Sequence, residues 1–312
     1  MRGASVNKKL VLLIALGVLV LLLAGGLLGL YIAGFRYMKV TYVSKASSEE
    51  QKISFLGFMD GAGSIKSGKL TYDGKNATVK KTSPGQFTIT FENGDVYTGE
   101  MDGLQRHGQG VMAYVSGDRY EGSFAGDRFD GQGVFEYAGG DRYVGSFAAG
   151  KKSGEGHYTW VVDGVTYAEY TGSFKNDRRE GKGVLKSADG AVYNGCFVND
   201  LRQDGNAEAL IPSETGGTDR YFGGYQNDVR SGFGYYYYAA GNVYAGYFEN
   251  NKPEGEGVIC YADGGGKKGT FSGGNLVQDT ATDLTPEEVQ EYLDKFSSNV
   301  NPLTGQPSVI TG

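Results

Sequence analysis

The sequence predicts an all-β fold: an elongated, single-layer antiparallel sheet of β-hairpin repeats, with an N-terminal transmembrane helix and a short C-terminal capping helix. A pattern of tyrosine, glycine and phenylalanine returns about every 23 residues between positions 97 and 271. The 312 residues include 53 glycines and 23 tyrosines but only 6 prolines, which is typical of strands joined by tight turns. A long, almost purely apolar run begins at residue 10.

The repeated segment reads Tyr-x-Gly-x-Phe, with methionine in the last place of its first copy. A charged turn follows each copy and leads to a second strand, which opens with Gly-x-Gly in five of six cases. A fixed period of this length indicates an array of supersecondary units. The six copies are YTGEM (97–101), YEGSF (120–124), YVGSF (143–147), YTGSF (170–174), YNGCF (193–197) and YAGYF (244–248). With a variant copy, YFGGY at 221–225, they begin repeats 1 to 7.

Each repeat is predicted to be a β-hairpin, and successive hairpins are predicted to pair into one sheet. Alternation with period two places Tyr97, Gly99 and Met101 on one face of the first strand. A glycine inside a strand destabilises it unless another group packs against the bare backbone. We expect that group to be an aromatic side chain of the second strand, such as Tyr114.

The order Tyr-x-Gly-x-Phe, turn, Gly-x-Gly at this period resembles the MORN repeat (membrane occupation and recognition nexus). The resemblance covers residues 97–274, with seven full repeats and an eighth half repeat. It implies an extended β-array used for protein contacts, homodimerisation or lipid contact. Some members of the family carry the repeats beside a catalytic domain, and we recognise no such domain in this sequence.

Departures from the pattern are expected to mark special positions. Repeat 5 has Ala207 in place of its second glycine, and repeat 6 has Tyr225 in place of phenylalanine. Residues 53–96 are predicted to be degenerate repeats that cap the first sheet edge, which would otherwise be open to aggregation.

The C-terminal cap is predicted over residues 283–298. Thr285 and Glu288 form a capping-box pattern with proline in the first helical position, and Val289, Tyr292, Leu293 and Phe296 follow as an apolar stripe. Residues 299–312 are rich in proline, glycine, serine and threonine and are predicted to be a disordered tail.

Residues 10–35 are predicted to be a transmembrane signal anchor, between a basic leader at 1–9 and a juxtamembrane linker at 36–52. The 24 residues from position 10 to 33 would span about 36 Å as a helix, whereas a hydrocarbon core is about 30 Å thick. A cleaved signal peptide, the alternative, has a shorter apolar region. Three basic side chains lie on each side, so only the short basic leader and the α-amino group favour a cytoplasmic N-terminus and an extracytoplasmic array.

Composition excludes several functions. Six basic and no acidic residues lie within residues 1–45, so the net charge of −6 divides into +6 there and −12 (24 basic, 36 acidic) in the rest. An acidic array argues against nucleic acid as a partner. Two histidines and two cysteines, with no ligand spacing among them, predict no metal site, no cofactor, no catalytic residues and no intrachain disulfide, so the sequence does not predict an enzyme.

Two insertions are candidate partner-binding loops. They lengthen the period to 27 residues after Tyr143 and to 28 after Tyr193. Both fall between a second strand and the next repeat, so we expect both at the same long edge of the sheet, about 20 Å apart. A neutral insertion is the alternative interpretation. The candidate residues are Val161, Asp163, Val165, Tyr167, Ile211, Pro212 and Glu214.

The opposite edge carries a basic residue in nearly every turn, which could attract phospholipid headgroups or an anionic polymer. Aspartates in the same turns would neutralise much of this charge, and solvated turn charges are the alternative interpretation. The candidate basic edge is Arg106, Arg128, Lys151, Arg178, Arg202, Arg230 and Lys252.

The sequence therefore predicts a membrane-anchored scaffold or adaptor that presents a rigid repeat array for protein–protein interaction or self-assembly. The alternative is a module that binds lipid or an envelope polymer and tethers the membrane to another surface.

Overall fold

A computed structural model describes residues 26–28, 30, 31, 33–43 and 50–298. Its backbone contacts divide the chain into two compact bodies, an N-terminal body that ends at Gly133 and a C-terminal body that begins at Val134. Both consist of antiparallel strands paired in chain order, which confirms the all-β prediction within each body.

In the N-terminal body, each strand up to β8 pairs with the strand that follows it in sequence. Its strands are β1 (Phe35–Val43), β2 (Glu50–Met59), β3 (Ile65–Tyr72), β4 (Lys75–Ser83), β5 (Gln86–Phe91), β6 (Val96–Asp102), β7 (Gln105–Ala113) and β8 (Arg119–Ala125). Strand β9 (Arg128–Glu136) runs across the boundary between the bodies.

The C-terminal body is also an antiparallel meander, and it ends with a 3-10 turn (Gln278–Thr280) and a helix (Pro286–Ser298). Its strands are β10 (Arg142–Ala148), β11 (Lys151–Val162), β12 (Val165–Lys175), β13 (Arg178–Ser187), β14 (Val192–Val198), β15 (Leu201–Arg202), β16 (Asp204–Pro212), β17 (Thr218–Gln226), β18 (Val229–Tyr237), β19 (Val243–Glu249), β20 (Lys252–Cys260), β21 (Gly266–Ser272), β22 (Asn275–Leu276) and β23 (Thr282–Asp283).

In six of the seven repeats the first tyrosine packs across a pair of facing glycines, and in repeat 5 Ala207 takes the place of the second glycine. In repeat 3, Gly145 faces Gly156 across β10 and β11, and the ring of Tyr143 covers both. A Cβ at Gly156 would lie 2.5 Å from Tyr143 Cε2, so only glycine fits there. The Tyr143 hydroxyl donates to the carbonyl of Ser146 at 2.9 Å. The expectation that a second-strand aromatic covers the glycine is therefore wrong, because the tyrosine two residues earlier on the same strand reaches over it.

The same hydroxyl-to-carbonyl hydrogen bond, from the tyrosine to the residue three positions later, occurs in all seven repeats. Its distances range from 2.6 Å in repeat 1 to 3.0 Å in repeats 4, 6 and 7. The donors are Tyr97, Tyr120, Tyr143, Tyr170, Tyr193, Tyr221 and Tyr244. We call the face that carries these tyrosines the inner face and the opposite face the outer face.

Edge-to-face ring contacts join neighbouring repeats on the inner face. The Tyr143 centroid lies 5.1 Å from that of Phe147 in its own repeat and 5.1 Å from that of Phe174 in the next. Tyr170 makes the same two contacts, with Phe174 at 5.2 Å and Phe197 at 5.1 Å. Such pairs stabilise by roughly 0.5–1.5 kcal/mol beyond their buried area. In the C-terminal body this row of rings continues to Phe271 and forms the core of the array.

Two-residue turns connect the strands of each hairpin. Asn176 and Asp177 both have positive φ (50° and 71°), as a type I′ turn requires. The amide of Asp177 donates to the carbonyl of Lys152 in the preceding repeat at 3.0 Å, and its Oδ1 accepts from the Lys152 amide at 2.9 Å. This turn is thereby fixed to the hairpin before it, and the turns of repeats 2, 5, 6 and 7 make the same backbone bond.

The N-terminal strands extend further than the sequence indicates. The linker prediction for residues 36–52 is wrong over β1, which pairs along its whole length with β2. In β2, Phe55 takes the place of the repeat tyrosine, and its ring lies against Gly57 and Gly68. Residues 53–96 therefore contain a degenerate repeat that has lost the tyrosine hydroxyl.

At the other end, the predicted capping box forms: the Thr285 amide donates to Glu288 Oε2 at 2.9 Å, and the Glu288 amide donates to Thr285 Oγ1 at 3.3 Å. The helix does not close the sheet edge. Strands β22 and β23 pair with β21 there, while Val289 packs with Val243, Ala245 and Cys260 on the outer face.

The predicted leader, most of the predicted membrane segment and the predicted tail lie outside the described residues. Residues 26–28, 30 and 31 are helical, and β1 begins at Phe35. None of the helices that the structure describes has the length and apolar character needed to cross a membrane.

Replacement of Gly156 by alanine tests the tyrosine–glycine contact. We expect Gly156→Ala to lower the free energy of unfolding by roughly 1–3 kcal/mol, because the new methyl group overlaps the Tyr143 ring. Tyr143→Phe removes only the hydrogen bond to Ser146, and we expect a loss of about 1 kcal/mol. Gly139→Ala is the matched control, since a Cβ at Gly139 meets no atom within 4 Å. Urea unfolding followed by circular dichroism measures all three; equal effects of the two alanine variants would contradict the contact.

Candidate functional site

The first insertion lengthens a hairpin and does not form a loop. Val161 lies in β11 opposite Thr166, and Asp163 (φ 52°) and Gly164 (φ 77°) form a tight turn. The tip carries exposed apolar side chains: Val165 is 67 % and Tyr167 62 % exposed. The prediction of a loop is wrong here, because the extra residues pair across β11 and β12.

The second insertion is divided between strand and turn. Ile211 and Pro212 belong to β16 and face Asp219 and Thr218 of β17, while Glu214 lies exposed in the turn at 213–217. In the strand order both tips lie at one long edge, and four strand spacings, about 19 Å, separate them. The structure therefore does not combine the seven candidate residues into one site.

The candidate basic edge divides into two sets. Arg128, Lys151, Arg178 and Lys252 occupy the first position of the second strand and point away from the inner face, and the last three are exposed. Arg106, Arg202 and Arg230 occupy the second position and lie over inner-face rings.

Two inner-face cations, Lys152 and Arg179, were missed in the sequence. The available signal was the period-two alternation of a strand, by which the second residue of Lys151-Lys152 or Arg178-Arg179 must face the tyrosine.

Each inner-face arginine holds the turn of the following repeat. The guanidinium of Arg179 donates from Nη2 to the Asp200 carbonyl at 2.7 Å, and its Nε lies 3.3 Å from Asp200 Oδ1. Its Cζ lies 4.8 Å from the centroid of Phe197. Arg106 makes the corresponding contacts with Asp127, and Arg202 makes them with Asp228. These cations are used within the fold, so a basic edge of seven residues does not exist.

Lys152 occupies the same position in repeat 3, but its ammonium group lacks the planar set of N–H donors with which a guanidinium holds the next turn. Its Nζ lies 4.6 Å from the Tyr158 centroid and 3.4 Å from the Tyr137 hydroxyl. Burial lowers the pKa of Lys152, and the charges of neighbouring aspartates oppose that shift. Tyr158 donates in turn to Asp141 Oδ2 at 2.9 Å. The lysine therefore serves the packing of the inner face.

A groove on the outer face of repeats 6 and 7 carries exposed aromatic side chains. Phe233 (46 % exposed) and Tyr247 (55 % exposed) lie with ring centroids 5.6 Å apart. They line a groove of about 480 Å³ with Tyr235, and Tyr292 of the C-terminal helix forms its other wall. We call this surface the outer groove. The sequence reasoning missed it, although the alternating aromatics of Phe233-Gly-Tyr235 mark an apolar outer face.

Earlier repeats carry polar pairs at the corresponding outer-face positions. Gln109 donates to Ser123 at 2.9 Å between repeats 1 and 2, and Ser173 donates to Glu155 at 2.5 Å between repeats 3 and 4. The aromatic outer groove is therefore a departure from the repeat and not part of its pattern.

Metal and thiol chemistry have little support. Over the part of the chain that the structure describes, no three His, Cys, Asp or Glu side chains are grouped in a way that could hold a metal ion. Cys196 and Cys260 are both unpaired. Burial raises the pKa of both thiols, and a hydrogen bond to Asp204 raises that of Cys196 further.

These features define a class of protein: a β-hairpin repeat protein in which contacts within and between repeats occupy the inner face. The chain belongs to the MORN-repeat proteins, since the MORN repeat model matches residues 97–119, 120–142, 143–164, 170–192, 221–243 and 244–266. Repeat 5, in which Ala207 replaces a glycine, falls outside these matches. A comparison with curated proteins gives no match.

Two solved structures show weak likeness. The TCP10 domain of Danio rerio CPAP is 16 % identical, with a TM-score of 0.37, and the match covers 67 % of this chain and 95 % of that one. The SAS-4 (dCPAP) TCP domain of Drosophila melanogaster, in complex with a proline-rich motif of Ana2, is 15 % identical, with a TM-score of 0.27 and coverages of 63 % and 90 %. Neither likeness is close enough to indicate a function.

Adjacent arginines test the division of the basic edge. We expect Arg179→Ala to lower the free energy of unfolding by roughly 1–3 kcal/mol, because it removes charge-assisted hydrogen bonds to Asp200 and a cation–π contact. The control Arg178→Ala removes an exposed charge and should change stability by less than about 0.5 kcal/mol. Thermal unfolding of both variants checks this, and a larger effect at Arg178 would overturn the division.

Proposed function

We propose that this protein is a membrane-anchored scaffold that presents its MORN array for protein–protein contacts. The outer groove supports the proposal most directly. Exposed aromatic pairs in a groove are typical of contact hot spots, since they bury much apolar area with little loss of side-chain entropy. Phe233 and Tyr247 are half exposed, although the repeat pattern does not need aromatics there. The proposal assigns the chain no catalytic activity.

The arrangement of charge also favours a scaffold. Three of the four inner-face arginines, Arg106, Arg179 and Arg202, pair with aspartates, so the array offers partners an apolar surface rather than a continuous charged one. Homodimerisation belongs to the same proposal, and light scattering of the detergent-solubilised chain checks it.

Cross-linking mass spectrometry in the native membrane tests the outer groove as a contact surface. We expect Phe233→Ser/Tyr247→Ser to lose most cross-links between the array and its partner, because the two rings no longer exclude water from the contact. Val165→Ser/Tyr167→Ser removes equally exposed apolar groups at the hairpin tip and serves as the matched variant. An unchanged set of cross-links in the first variant, with normal circular dichroism, would contradict the proposal.

The membrane anchor is the second part of the proposal. Deletion of residues 1–35 should move the protein from the carbonate-resistant membrane fraction to the soluble fraction, since it removes the apolar run.

Protease added to intact cells should remove a tag placed at Gly312 if the array is extracytoplasmic. A tag that is cut only after the membrane is permeabilised would reverse the orientation.

Binding of lipid or an envelope polymer remains the second candidate function, because Lys151, Arg178 and Lys252 are exposed at one edge. Reversal of these three charges to glutamate separates the two functions. A scaffold keeps its partner cross-links and shows no change in binding to liposomes or anionic polymer. Loss of liposome or polymer binding with intact cross-links would favour the second candidate.

A further inference from the structure

The inner face has a gap at repeat 5. One position of each second strand lies between the tyrosines of two neighbouring repeats, and it carries Tyr158 in repeat 3, Leu185 in repeat 4 and Tyr236 in repeat 6. In repeat 5 this residue is Ala209, which faces Tyr193 and Tyr221. The large side chain that fills the space elsewhere is therefore missing.

A second departure widens the same gap. Two residues further along the strand, repeats 3 and 6 carry Trp160 and Tyr238, whereas repeats 4 and 5 carry Ser187 and Ile211. The result is a cavity of about 260 Å³, open at the inner face, that Ser187, Ala209 and Ile211 line. We call it the repeat-5 pocket. Its apolar walls would gain free energy from an apolar group.

The repeat-5 pocket is also lined by Arg230, a cation that has no carboxylate partner of its own. Arg202 and Arg230 both line it, and Arg202 pairs with Asp228 at 3.0 Å. Arg230 meets Asn251, where the other inner-face arginines meet an aspartate. Arg230 forms no ion pair within the described ranges, and its buried Nη1 makes no hydrogen bond. A partly buried cation of this kind is stabilised by an incoming anion.

Resting on the proposed scaffold function, we propose that the repeat-5 pocket receives one apolar side chain of a partner protein and that Arg230 pairs with a carboxylate next to that side chain. The volume of the pocket favours a single side chain as its occupant, since 260 Å³ is below the roughly 300–1,000 Å³ of small-molecule sites. The charge of Arg230 favours an acidic residue beside that side chain, because Arg230 alone among the inner-face arginines of the described chain lacks an acidic turn partner.

Two substitutions restore the repeat pattern and so leave the fold intact. Ala209→Leu fills the pocket with the side chain that repeat 4 carries there. Asn251→Asp gives Arg230 the turn partner that Arg179 and Arg202 have. Asn250→Asp adds the same charge to the same turn, one residue earlier, and is the matched control.

Peptides selected from a random phage-displayed library on the full-length protein in detergent are the probe. We expect an apolar residue beside Asp or Glu in the selected peptides. Ala209→Leu should weaken the best peptide at least tenfold. Asn251→Asp should weaken the acidic peptide about tenfold and leave its carboxamide counterpart unchanged, while Asn250→Asp changes neither. Isothermal titration measures each affinity, and circular dichroism verifies the fold.

Other outcomes overturn the proposal. A selection that yields no peptide, or peptides without the acidic–apolar pair, contradicts it. Displacement of the peptide by octanoate at equal or lower concentration would identify a small carboxylate ligand instead. Peptides that bind Ala209→Leu normally but fail on Phe233→Ser/Tyr247→Ser would refute the repeat-5 pocket and leave the scaffold function standing. Failure of the scaffold function would be seen in a different experiment, as an unchanged set of partner cross-links in Phe233→Ser/Tyr247→Ser.

Discussion

The packing of one tyrosine ring across two facing glycines is the interaction on which the array depends. In six of the seven repeats the ring lies against bare backbone on both strands of its hairpin, and its hydroxyl donates to the carbonyl three residues ahead. Because the ring also touches the phenylalanine of the next repeat, one contact fixes both the hairpin and its neighbour. Nearest-neighbour coupling of this kind is what stabilises repeat proteins in general.

This packing determines where function can lie. The inner face and its arginines are occupied by contacts between repeats, so most aromatic and basic residues have structural roles. The surfaces that remain are departures from the repeat. They are the aromatic outer groove beside the C-terminal helix and the small side chains of repeat 5 beside an arginine without a carboxylate. Both suit contacts with another protein, as the proposed scaffold function requires.

Much of the fold follows from local rules. The period, the glycine positions and the capping box at Thr285 are visible in the sequence because each depends on residues close together in the chain. What could not be predicted depends on partners distant in sequence. Strand alternation distinguishes Arg179 from Arg178, but the contacts of Arg179 with Asp200 and Phe197 depend on the turn of the next repeat. The outer groove required knowledge that the helix returns over β18 and β19. The insertion near Val165 lengthens two strands because its residues find cross-strand partners.

Native-state hydrogen exchange of the full chain carrying Gly183→Ala tests the central claim most directly. The alanine methyl group would overlap the Tyr170 ring, so the contact is lost in repeat 4 alone. We expect amide protection to fall in β12 and β13 and in the adjoining strands, while β19 and β20 keep theirs, since each repeat is held by its neighbours. Uniform loss of protection, or none in β12 and β13, would contradict the account.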